Sequence, residues 1–112
     1  MNEIKVRKRG KKPTKGNKTS NKTITIYQEH YNVIDNKLIE LSVYVRWLIQ
    51  NKLDNYINEG QGPIQKDSGV MVTTIALYQN DLNLIEQIDN FSNFVRWGLE
   101  KDDFVNEYLQ ND

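Results

Sequence analysis

The hydrophobic positions of this chain change period, and then do so a second time. Around residues 23–26 they alternate, with Ile24 and Ile26 apolar and Thr23 and Thr25 polar. Alternation of period two in a run rich in β-branched side chains predicts a half-buried strand. From Tyr31 the period lengthens. Tyr31, Ile34, Leu38 and Leu41 recur at helical spacing, which predicts one apolar helix face. A break follows, and Ser42 is the expected N-cap of a second helix carrying Val45, Leu48, Ile49, Leu53, Tyr56 and Ile57. Gly60, Gly62, Pro63, Ser68 and Gly69 then mark a turn-rich linker.

The same order returns further along. Residues 23–28 (TITIYQ) match residues 74–79 (TIALYQ) at an offset of 51, and residues 41–47 (LSVYVRW) match residues 91–97 (FSNFVRW) at an offset of 50. One residue is therefore lost between the two matches, in the expected inter-helix turn. In the second copy Ile75 and Leu77 alternate with Thr74 and Ala76. Leu82, Ile85 and Ile88 then take the helical spacing, Ser92 is the expected N-cap, and Val95, Leu99, Phe104, Val105 and Tyr108 follow. The expected organisation is a disordered arm over 1–22, a first repeat over 23–58, a linker over 59–71 and a second repeat over 72–112. A lone two-stranded pairing is marginal in water, and a single repeat often cannot bury its own apolar face. The expected fold is therefore mainly α with a small β ribbon: the two strands pair antiparallel, four helices interlock beneath them, and Trp47 and Trp97 fall in the shared core.

Charge changes this picture at one end only. The formal net charge is zero. Residues 1–22 nevertheless hold nine basic side chains against Glu3 alone, leaving six basic and fourteen acidic side chains in the rest of the chain. Such asymmetry points to a basic arm that meets a polyanion, the bland alternative being a solubilising tail. The arm also lacks apolar periodicity and contains Gly10, Pro13 and Gly16, so it is expected to be mobile. The chain has no cysteine, which excludes disulfides and thiolate metal sites and suits a reducing cytoplasm. No apolar run approaches the roughly 20 residues that a membrane-spanning helix needs, so no membrane partner is expected.

The strand–helix–helix order, with Thr23, Ile24, Thr25 and Ile26 before the first helix and Ser42 to Arg46 opening the second, resembles the ribbon–helix–helix family of MetJ, Arc and CopG type repressors. Thr74 to Leu77 and Ser92 to Arg96 are the matching stretches. The resemblance covers about residues 21–58 and 72–110. Each motif alone is weak, and the strength lies in the full pattern appearing twice. Family members are usually homodimers, so the resemblance implies a fused, intramolecular pseudo-dimer. In its tandem form it is similar to small transcription regulators of archaeal viruses.

The resemblance implies a regulator of transcription, repressor or activator, in the cytoplasm of its host, whose ribbon enters the major groove of double-stranded DNA. The outward ribbon positions, out of phase with the core isoleucines, are Asn21, Thr23, Thr25, Val72, Thr74 and Ala76. These are the expected base contacts, although solvent-facing threonine is the commoner role for Thr23 and Thr25. Val72 and Ala76 lack hydrogen-bonding groups, so either the two half-ribbons read different half-sites or the second reads weakly. The resemblance also implies phosphate contacts at the starts of the second helices, from Ser42 and Val43 and from Ser92 and Asn93, with capping as the alternative role of the serines. Lys18 and Lys22 are the expected phosphate contacts nearest the ribbon. Family members commonly bind neighbouring half-sites together, which implies self-association on DNA.

Arg46 and Arg96 match in both copies. They suit phosphate, a salt bridge to an acidic residue on the first helix, or stacking on an aromatic ring, with the structural roles favoured. His30, the only histidine, is expected to be solvated. Asp102 and Asp103 are adjacent and diverge on a helix, so they do not form a catalytic pair. No catalytic grouping, cofactor motif or metal-ligand spacing is present, so neither an enzyme nor a cofactor is expected. Two other functions compete: an antitoxin-like protein-interaction module, which usually carries a further C-terminal segment, and a nonspecific DNA-packaging protein driven by the arm.

Overall fold

A computed structural model of the chain describes residues 19–111. The element order is β1 (Thr19–Tyr27), α1 (Gln28–Asn36), α2 (Leu41–Glu59), β2 (Val70–Tyr78), α3 (Gln79–Ile85), α4 (Phe91–Glu100) and α5 (Asp102–Asn111). The two strands form one antiparallel sheet in which Thr23 faces Thr74, Asn21 faces Ala76 and Thr25 faces Val72. Residues opposite one another in an antiparallel pair share a face. Ile24, Ile26, Ile75 and Leu77 all point inward and are buried, as the period-two pattern requires. Both strands begin earlier than expected: Thr19 to Lys22 belong to β1 rather than to a disordered arm, and β2 starts at Val70.

The expected four-helix architecture of two matched repeats is not what the chain adopts. Among the described residues there are five helices, and the halves differ. The first half ends in one unbroken helix of 19 residues, α2. The corresponding stretch of the second half breaks at Lys101, whose extended backbone (φ −95, ψ 94) separates α4 from α5. The Lys101 carbonyl accepts from the N–H groups of Phe104 and Val105, at 2.9 and 3.1 Å, and so starts the new helix. Asp102 and Asp103 lie in its first turn, where the positive end of the helix dipole favours carboxylates. At the matching place in α2, by the offset of 50, stand Lys52 and Leu53, which give no such restart.

Helix α1 also departs from the apolar stripe read in the sequence. It stops at Asn36, and Leu38 lies beyond it in the left-handed region (φ 55), 73% exposed. Tyr31 is exposed as well. The Ile39 N–H donates to the Ile34 carbonyl at 2.9 Å, a bond that closes the helix end across the turn. Val33 and Ile34 pack on the core in place of Tyr31 and Leu38. The 59–71 linker is no loose connector either. Gly60 takes a left-handed conformation (φ 62) to end α2, and Ile64 is then buried against the core.

A single core lies under the ribbon. Tyr44, Val45 and Leu48 of α2 meet Phe94, Val95, Trp97 and Leu99 of α4, all essentially inaccessible. Trp97 is buried, and Trp47 is half-buried against Tyr44 and Tyr108. Edge-on ring pairs link Tyr56 to Phe94 and to Trp97 with centroids 5.2 Å apart, a favourable aromatic arrangement. Among the described residues no helix is long and apolar enough to cross a membrane.

Candidate nucleic-acid interface

The outward face of the ribbon carries Thr19, Asn21, Thr23, Thr25 and Tyr27 on β1, opposite Tyr78, Ala76, Thr74, Val72 and Val70 on β2. Asn21, Thr23, Val72 and Thr74 are exposed, and Thr25 and Ala76 are half-buried. The six side chains expected to meet bases therefore share one face. Thr23 and Thr74 stand opposite each other at its centre.

A helix start holds each free edge of the ribbon. Ser92, second residue of α4, accepts a hydrogen bond from the Thr25 N–H at 3.0 Å, and Ser42, second residue of α2, accepts one from the Ala76 N–H at 3.0 Å. One helical turn on, arginine completes the grip. Arg96 Nε donates to the Thr25 carbonyl at 2.8 Å, and Arg46 donates to the Ala76 carbonyl at 3.1 Å. Each guanidinium also lies over the tyrosine that ends a strand, Arg96 over Tyr27 and Arg46 over Tyr78, at 5.1 and 4.8 Å from the ring centroids. A residue at i and one at i+4 share a helix face, so a serine–arginine pair at this spacing can take both polar groups of one strand residue. That satisfies edge groups a two-stranded ribbon otherwise leaves to water.

The serines are therefore not the caps that the sequence suggests. The N-cap of α2 is Glu40, without a side-chain capping bond, and that of α4 is Asn90, whose side chain accepts from the Asn93 N–H. Each serine hydroxyl accepts from the strand and keeps its own proton to donate. Val43 is half-buried one residue further on. Asn93 is not placed to meet a phosphate. Its side chain is buried, accepts from the Ile64 N–H at 2.7 Å, and donates to the Gly62 carbonyl and the Tyr56 hydroxyl at 3.0 Å each. It fixes the linker instead. Among the described residues, Arg46 and Arg96 form none of the salt bridges to helix one that the sequence left open. Stacking on an aromatic ring, the other structural alternative, is what they show.

Lys22 lies beside the central Thr23 in β1, half-buried, with its ammonium 5.7 Å from the centre of the Phe91 ring. It borders an open recess of about 550 Å³ with Ser92 and Asn90, where Glu86 and Asp89 form an acidic wall. Lys18 lies outside the described residues.

His30 corrects a further expectation. It is buried, and its neighbours fix its tautomer: Nδ1 accepts from the Tyr27 N–H at 3.1 Å, so Nε2 carries the proton that faces Glu100 at 2.9 Å. Lys66 reaches the same carboxylate at 2.9 Å. Burial pushes the Glu100 carboxyl up, but the bonds from His30 and Lys66 outweigh it and leave its pKa below the ordinary value. The Glu100 hydrogen bond and charge raise the Lys66 pKa in turn. In the other half Asp81 takes the place of His30. It is buried and accepts from the Tyr78 N–H at 3.1 Å. Both residues tie the end of a strand to the helix that follows.

No family model, curated protein or solved structure matches this chain. A two-stranded antiparallel ribbon has the width to enter the major groove of B-DNA, and short polar side chains on its outer face can reach base edges. Helix starts on either side present backbone N–H groups of the kind that bind phosphate. Among the described residues no cluster of three or more histidine, aspartate or glutamate side chains is placed to hold a metal.

Proposed function

We propose that this protein is a sequence-specific double-stranded-DNA-binding regulator of transcription that inserts the β1–β2 ribbon into the major groove. One observation carries the reading: Thr23 faces Thr74, and around this pair Asn21, Thr25, Val72 and Ala76 share the outward face of a ribbon gripped along both edges by helix starts. The sequence adds a second support, since eight basic side chains precede β1 and Lys22 stands within it, where a polyanion would pass.

In this reading Thr23, Thr25 and Thr74 use hydroxyl and methyl groups on base edges, and Asn21 suits adenine. Ser42, Ser92 and the amide of Val43 take phosphates flanking the groove, and Lys22 adds salt-sensitive affinity without sequence information. The protein has no catalytic role and works in the cytoplasm, as the absence of cysteine suits. It is the ribbon, not the helix count, that supports likeness to ribbon–helix–helix regulators.

The test is selection of bound sequences from a random duplex pool at stated salt, followed by footprinting. Replacing both Thr23 and Thr25 with alanine is expected to relax specificity, at roughly 1–3 kcal/mol for each lost base contact. If that double variant binds the best selected site as tightly as the parent, the ribbon does not read DNA.

A further inference from the structure

The outward face divides at the central pair of Thr23 and Thr74, and its two ends differ. At one end Asn21 stands beside Ala76, with Thr19 beside Tyr78; at the other Val72 stands beside Thr25, with Val70 beside Tyr27. The offset of 51 between the strands makes Val70 the counterpart of Thr19 and Val72 the counterpart of Asn21. Where one end offers a hydroxyl and a carboxamide, the other offers two valines that are 61% and 68% exposed. Strand propensity does not account for them, because threonine meets it as well and fills the counterpart position 19.

We infer that the duplex site of this ribbon is non-palindromic, with adenine under Asn21 at one end and thymine at the dyad-related base under Val72. The inference rests on the ribbon reading proposed above. A carboxamide can hydrogen-bond adenine at N6 and N7 together. Valine has no donor or acceptor, and its favourable major-groove contact is the C5 methyl of thymine. A base edge with only polar groups there would lose water to Val72 and gain no partner, which is costly. A palindrome would place adenine at both dyad-related bases. This ribbon accepts it at one, so the protein sits on its site in a single orientation.

The experiment uses the full chain and its Val72→Asn variant, each put through selection from a random duplex pool at the same salt. The parent is expected to enrich a site with adenine in one half and thymine at the dyad-related base. The variant is expected to enrich adenine at both. In the parent's best site, uracil in place of that thymine removes one methyl group and should weaken binding by the parent about threefold to fivefold. Val72 is on the surface, and an unchanged circular dichroism spectrum verifies the fold of the variant. The converse substitution, Asn21→Val, should exchange adenine for thymine in the other half. A palindromic consensus from the parent, or indifference to uracil, overturns this inference and leaves the ribbon reading standing. Enrichment of no duplex at all overturns the ribbon reading itself.

Discussion

Leu48 occupies the space that a side chain on Gly98 would need. The two are counterparts at the offset of 50, and they meet where α2 crosses α4. A Cβ placed on Gly98 would lie 2.9 Å from Leu48 Cδ2 and closer still to Cδ1. Leu48 is fully buried, so it has no free volume to retreat into. The Tyr44 hydroxyl donates to the Gly98 carbonyl at 2.6 Å in the same contact, and burial raises the pKa of that phenol.

Gly98→Ala is therefore expected to destabilise the protein although alanine is the better helix former. Overpacking costs about 1–3 kcal/mol, against roughly 1 kcal/mol gained in helix propensity. Leu48→Ala alone should cost about 2–5 kcal/mol. The double variant should be more stable than the sum of the two changes predicts, because the alanine at 98 partly fills the cavity left at 48. Urea unfolding of all four proteins measures the coupling, and strict additivity would show that the two residues do not share this space.

The serine grips on the ribbon edges should matter for stability before any ligand is present. Ser92→Ala leaves the Thr25 N–H without its acceptor, and Ser42→Ala does the same to the Ala76 N–H. A lost partner for a part-buried amide costs about 1–3 kcal/mol. Each variant should melt at a lower temperature than the parent, and amide hydrogen exchange at Thr25 or Ala76 should quicken. Unchanged exchange at both amides would mean that the serines do not hold the edges.

Acid should loosen the junction of α1, the linker and α4. The folded-state pKa of Glu100 lies below its ordinary value of 4.5. A carboxylate that is more acidic in the folded state adds stability above its unfolded pKa, and that stability disappears as pH falls through the folded pKa. The loss should begin near pH 4.5 and continue below it. Glu100→Gln removes the dependence, so melting curves of parent and variant should converge in acid. Parallel curves from neutral pH to about pH 3 would show that the carboxylate contributes nothing.

Lys22 offers a check on the electrostatic part of the proposed DNA binding. Lys22→Ala is expected to weaken binding about equally for all sequences and to make the slope of log affinity against log salt shallower by about 1. A change in preferred sequence with no change in salt slope would place Lys22 on bases instead of phosphate.

The ribbon was the legible part of this chain. Ile24, Ile26, Ile75 and Leu77 alternate with small polar residues, and a period of two leaves only one face to bury. The repeat also showed which residues would be counterparts, including Ser42 and Ser92, and Arg46 and Arg96. Helix ends were less legible, because they depend on single backbone conformations. Leu38 carries the spacing of a core residue but sits past the end of α1 in a left-handed turn, a conformation that sequence assigns to glycine or asparagine before leucine. The break at Lys101 could be read only from the adjacent aspartates, which also fit a helix interior. In the site, Ser42 and Ser92 were visible as helix starts, but their bonds to the opposite strand were not, since those partners lie 34 and 67 residues away. The matched arginines four residues later were the available hint, and only three-dimensional contact shows that serine and arginine hold one strand residue together.

Because β1 and β2 belong to a single polypeptide, joined through α2 and the segment that Asn93 pins down, diluting the protein cannot pull the strands apart. Their mutual encounter is a first-order event, set by tether length and not by how many molecules share the cell. A few copies would hold the ribbon as well formed as a concentrated solution does, and its melting temperature should stay constant across a thousandfold range of concentration, about three decades in which a ribbon built from separate chains would drift.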